Sequence, residues 1–220
     1  MIVTRRTAAP RAELDHLVVA AATLADGIDY IAALTGATPQ PGGRHVAMGT
    51  HNALLHLGER AYLEIIATDP AGAKPPRPRW FDLDDVALQA ELVEQPRLVH
   101  WVARTADIER SAAACPLALG AILPFERGDF RWRITVPEDG RRPARGVVPA
   151  LIQWDVPFHP ADRLPGSGVS IAQFGATHSD PGPARAALAA LGLEDTLHVT
   201  YDRETRLAAM LRTPRGIVTL

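Results

Sequence analysis

The apolar residues of this chain fall into short runs of strand length, and the order of those runs repeats. Leu14-Asp15-His16-Leu17-Val18-Val19-Ala20 is a β-branched run, too short for a helix and interrupted by one histidine. Thr23 then offers a helix cap. Leu24, Ile28, Ile31 and Leu34 recur at helical spacing up to Gly36, with Asp26 early, where it suits the helix dipole. Gly42 and Gly43 read as a break, followed by strand-like runs at 44–48, 52–57 and 61–67. Gly58-Glu59-Arg60 between the last two is a hairpin signal, so residues 13–69 spell one βαβββ module.

A proline-rich linker with a short helix around 84–93 is expected over 70–96. The pattern then returns over 97–156, with Leu98-Val99-His100-Trp101-Val102-Ala103 as its first strand. A helix at 108–119 and strands at 121–125, 130–136 and 147–154 complete the second module. Residues 137–146, carrying Arg141, Arg142 and Arg145, read as a charged loop able to act as a lid. Residues 157–220 begin with a Pro/Gly-rich bend and spell the order a third time, without a histidine in the first strand. The first 12 residues read as a flexible tail. The fold class predicted is α+β, with repeated βαβββ modules forming a partly closed barrel-like sheet around a cleft.

Composition adds bounds. Over 220 residues, 47% are hydrophobic and 22% charged, the balance of a globular protein able to bury a core without staples. The formal charge of -2 carries no basic stripe, which argues against nucleic acid as a partner. No run is long enough to span a bilayer, and the one cysteine, Cys115, reads as a small core residue, so a reducing cytoplasm is expected.

Candidate chemistry comes from polar residues inside apolar strands. Glu64 sits mid-strand, where a buried carboxylate must find a partner; Arg44, Arg131 and Arg133 are the arginines available as a plain structural pair. Matching the modules by pattern puts Gln153 where Glu64 was and His100 where His16 was. If the two sheets face each other about a pseudo-twofold axis, His16, Glu64, His100 and Gln153 share one cleft. Their donor atoms suit a divalent metal such as Zn, Ni, Mn, Co or Fe. Glu64 is also the candidate catalytic base. Asn52, Tyr62, Arg131 and Arg133 are the candidate substrate-binding residues, the arginines through forked hydrogen bonds to a carboxylate. His45, His51 and His56 read as solvated or loop histidines.

The segments LDHLVVA, GGRHVAMGTHNALLHLG, AYLEIIATDP, RWRITVPEDG and ALIQWD resemble the vicinal-oxygen-chelate superfamily and, within it, the glyoxalase-like domain proteins. The resemblance implies paired βαβββ modules around a small-molecule cavity, with metal ligands on the first and last strands of each module, at His16, Glu64, His100 and Gln153. It implies lyase or isomerase chemistry on a small substrate with adjacent oxygens. Two alternatives stay open beside it: a metal-free protein that binds or sequesters a small molecule, and an extradiol-dioxygenase-like enzyme using His16, His100 and Glu64 on iron. A dimer-forming scaffold with a vestigial cleft, and thus a possible homodimer, is a further reading.

Overall fold

The computed structural model describes residues 11–220. The tail expected at the N-terminus lies largely outside the described residues; Arg11 and Ala12 are tied down, with Ala12 donating its amide to Leu191 and Arg11 its guanidinium to Gly192.

The first module consists of β1 (Glu13–Ala20), α1 (Leu24–Thr35), β2 (Gln40–His45), β3 (Thr50–His56) and β4 (Tyr62–Thr68). Thr23 caps α1 through the amide of Asp26, and Gly36 closes it in a left-handed conformation. After α2 (Val86–Glu94) come β5 (Arg97–Arg104), α3 (Ile108–Ala114), β6 (Ala121–Arg127), β7 (Phe130–Val136) and β8 (Ala150–Trp154). These eight strands make one sheet in the order β2-β3-β4-β1-β5-β8-β7-β6. Its two halves mirror each other: in each, the first strand pairs in parallel with the last, and β1 joins β5 antiparallel at the centre. The remaining chain forms β9 (Ser170–His178), α4 (Pro181–Leu191), β10 (His198–Tyr201), β11 (Arg206–Thr213) and β12 (Gly216–Thr219). The chain order is again βαβββ, but the strands lie as β10-β9-β11-β12 in a separate sheet, so the spatial order of the first two modules is not reproduced.

Alternation of side chains divides the core in two. Leu17, Val19, Leu63, Ile65 and Trp101 face outward to Ile31 of α1, Leu188 of α4 and Phe174 of β9. Val18, Ala20, Ile66, Val102, Ile134 and Ile152 face inward and enclose a second core inside the curled sheet. Much of that interior is plugged by the linker: Trp80, Phe81 and Leu83, with Leu88 and Leu92 of α2, pack onto it. The plug is held in left-handed backbone at Phe81 (φ 62°) and Asp82 (φ 59°), a cost that persists only under outside constraint. Arg142 supplies that constraint, pairing with Asp82 at 2.7 Å and donating to the Val99 carbonyl. The arginine loop expected to act as a lid is thus in part a clamp.

The chain departs from the expected boundaries most at the two glycines. Gly42 and Gly43 lie inside β2 instead of breaking the chain before it, and residues 46–48 are a helical turn instead of strand. Close approach explains this: a Cβ on Gly42 would lie 2.1 Å from Asn52 Oδ1, and one on Gly43 2.6 Å from Arg127 Cδ. The free edges of the two half-sheets, β2 and β6, therefore meet where glycine lets Arg127 cross. Among the described residues, no helix is long and apolar enough to cross a membrane.

Asp82→Asn keeps a residue that tolerates left-handed backbone and removes the charge facing Arg142. A loss of about 1–2 kcal/mol in urea denaturation is expected; an unchanged midpoint and slope would show that the clamp contributes nothing.

Candidate active site

A small chamber lies between the two half-sheets, against the plug. Its volume is about 30 Å³, room for one or two waters, and its polar wall consists of His16, Glu64, Asn52, His45 and Arg127, with Tyr62, Trp80, Trp132 and Trp154 as aromatic wall. His45 and Trp132 also border a groove of about 730 Å³, so the chamber and the groove share a wall.

His16 reaches the chamber through a bulge. Leu14 pairs with Ala103 and His16 with Val102, which leaves Asp15 without a partner on β5. This lets two consecutive side chains meet on one side of the strand. The fully buried Asp15 accepts from His16 Nδ1 at 2.7 Å, from Trp154 Nε1 at 2.9 Å and from His159 Nε2 at 3.0 Å. His159 accepts the Ala161 amide on Nδ1, which fixes Nε2 as its donor. Burial pushes the Asp15 carboxyl up, but the hydrogen bonds from His159 and His16 outweigh it and hold the group well below the usual carboxylate range. With its Nδ1–H given to a carboxylate, His16 turns Nε2 to the chamber. Tyr62, its partner across β4, stacks on the ring at 4.5 Å. Burial, Asp15 and Glu64 all push the Tyr62 hydroxyl well up, so it stays protonated.

Glu64 faces His16, with Oε2 3.6 Å from Nε2. None of the three arginines considered as its partner reaches it; Asn52 Nδ2 donates to Oε1 at 2.5 Å instead. The Asn52 carbonyl accepts from the Gly43 amide and from Arg127 Nη1 at 2.9 Å. Arg127, at the end of β6, thus completes a chain from the opposite half-sheet, and it has no carboxylate within ion-pair distance among the described residues. His45, expected in a loop, is buried in the wall beside it: burial, then the Arg127 charge, push its pKa down to about 3.

Two of the four expected metal ligands lie elsewhere. His100 is buried behind Phe81, with Nδ1 on the Gly146 carbonyl at 3.3 Å and Nε2 accepting the Ala150 amide at 3.2 Å. Both ring nitrogens are spent, and burial followed by Arg142 lowers its pKa to about 3. Gln153 Oε1 accepts the Ile108 amide at the start of α3, while its neighbours Ile152 and Trp154 face the chamber. Gln153 lies one residue out of phase with the inward positions of β8, and a slip of one moves a strand side chain to the opposite face. His16 Nε2 and Glu64 Oε2 are two donors, Asn52 turns its oxygen to Arg127, and a guanidinium beside the site opposes a cation. The four-ligand metal set does not fit these residues, nor does an iron triad of both histidines with Glu64. Among the described residues, no group of three His, Cys, Asp or Glu side chains is placed to hold a metal.

Of the expected substrate-binding residues, Asn52 and Tyr62 line the chamber. Arg131 borders the groove and pairs with Glu126, and Arg133 is occupied by Asp155 and Glu109. Asp15, His159, Arg127 and Trp80 were not legible as site residues. Asp15 alone carried a signal, its position directly before His16.

Residues 14–192 match the glyoxalase-like domain family. The chain belongs to that family. Among solved structures, a hypothetical protein from Staphylococcus aureus superposes on the glyoxalase-like chain with TM-score 0.54 at 14% identity, covering 94% of this chain and 84% of that one. Methylmalonyl-CoA epimerase from Mycobacterium tuberculosis gives TM-score 0.41 at 18% identity over 69% of this chain and 92% of that one. A hypothetical protein from Bacillus halodurans gives 0.42 at 15% over 65% and 93%. These likenesses concern the fold. No curated protein matches the chain.

His45 and His100 are buried neutral with pKa values near 3, against 6.5 for the free side chain. Between those values the unfolded chain binds more protons, so their contribution is complete above about pH 6.5 and is lost as pH falls toward 3. Stability should drop by about 1.4 kcal/mol per pH unit for each histidine in that window. Denaturant titrations from pH 7 to pH 4 check this, and a flat profile would contradict it.

Proposed function

We propose that this glyoxalase-like protein is a proton-transfer enzyme, of isomerase or lyase type, acting at a carbon next to a carbonyl in a small oxygenated molecule. The observation that carries the reading is the buried Asp15–His16 pair aimed at Glu64 across the chamber. In this reading His16 Nε2 removes the proton and the electron pair moves onto the carbonyl oxygen as an enolate. Glu64, facing the same space and entering the step as the protonated acid, gives its proton to carbon or to the leaving position, and the proton taken up by His16 returns to Glu64 when product leaves. The Arg127 guanidinium stabilises the oxygen as it becomes negative. Asp15 keeps Nδ1 protonated and supports the imidazolium that forms, while Tyr62 packs the ring in place. A second reading, a small-molecule binder without catalysis, draws on the breadth and the apolar lining of the groove.

Incubation of the protein in D₂O with a panel of small oxo acids, ketones and aldehydes separates the two. Proton NMR should report loss of the signal at the carbon next to the carbonyl for at least one compound. His16→Gln and Glu64→Gln should each slow that exchange by about 10²–10⁴-fold. Exchange at the wild-type rate in both variants would end the catalytic reading, and absence of exchange across the panel would leave the binder as the better account.

A further inference from the structure

Two groups on the chamber wall have hydrogen-bonding capacity that the protein does not use. Trp80 is 4% exposed, lines the chamber, and its indole N–H is buried without an acceptor. An unmet buried donor is costly and rare in a native fold. Arg127 spends Nη1 on Asn52 and approaches His45 at 3.5 Å, while the face of its fork is not taken by any carboxylate among the described residues. The same wall therefore holds an unpaired cation and an orphaned donor, the complement of an anion with more than one oxygen.

The adjoining groove differs in character. Its charged residues are already matched within the protein: Arg44 with Asp69, Arg131 with Glu126, Asp155 with Arg133. What remains open is apolar, namely Val46, which is 80% exposed, with Ala47, Pro124, Phe125 and Trp132. Its volume suits the body of a small organic molecule.

We infer that the ligand is a carboxylic acid bearing an apolar or aromatic body. The Arg127 fork holds the two carboxylate oxygens, Trp80 Nε1 donates to one of them, and the body lies in the groove past His45 and Trp132. Arg127 leaves Asn52 to do this, which opens the chamber as the ligand enters. The inference rests on the proton-transfer reading for where the reacting carbon sits, but it is tested without it.

Benzoylformate has no exchangeable C–H, so its binding is independent of catalysis. Calorimetry on the full chain should give benzoylformate about 10–100-fold tighter than its neutral methyl ester. Glyoxylate, which lacks the aromatic body, should bind at least tenfold more weakly. Arg127→Gln should bring acid and ester within about threefold of each other, Arg127→Lys should retain part of the preference, and Trp80→Phe should weaken the acid about two- to tenfold. Thermal unfolding of each variant confirms folding. Equal binding of acid and ester by the wild type, no detectable binding of either, or a preference that survives in Arg127→Gln would overturn the inference. Failure of the D₂O exchange with the acid preference intact would sink the catalytic reading alone.

Discussion

The carboxylate of Asp15 is the constraint on which the site depends. A carboxylate removed wholly from water costs several kcal/mol unless it is matched, and here three N–H donors from three parts of the chain converge on it. Each is charge-assisted and contributes about 1.5–3 kcal/mol. One donor comes from β1 itself, one from the end of β8 in the second half-sheet, and one from the bend beyond it. The same interaction that closes the sheet's interior sets the tautomer of His16. Fold and chemistry share that bond.

Around it, the second half-sheet contributes to the chamber through its rim instead of through a matching pair of ligands. His100, the internal counterpart of His16, has become a structural histidine that ties β5 to Gly146 and Ala150. Phe81 and Trp80 fill the space before it. The pseudo-symmetry of the strands is therefore not shared by the side chains. One half holds His16, Glu64 and Tyr62, and the other supplies Arg127, Trp132 and Trp154.

Much of the fold was legible because strand alternation, the Thr23 cap and the turn glycines are local signals. The family segments extended the reading to paired modules. The site was half legible: His16 and Glu64 stood out as polar residues in apolar strands, and they do meet in the chamber. The rest failed for physical reasons. A bulge at Asp15 and a one-residue phase error at Gln153 each reverse a face, and neither leaves a mark in composition. His159, Arg127 and Trp80 reach the site from the bend, a hairpin tip and the linker, across distances that no periodicity encodes. Gly42 and Gly43 looked like a break because the side chains that need their space, Asn52 and Arg127, lie 9 or more residues away in sequence.

Asp15 fixes the His16 ring with a proton on Nδ1 and with Nε2 facing Glu64. Long-range ¹H–¹⁵N NMR of the imidazole rings at neutral pH measures this directly, with His16→Gln assigning the signal. The expected result is a His16 ring carrying a proton on Nδ1, and a change in that pattern in Asp15→Asn. A His16 ring protonated on Nε2 alone, or one indifferent to Asp15→Asn, would contradict it.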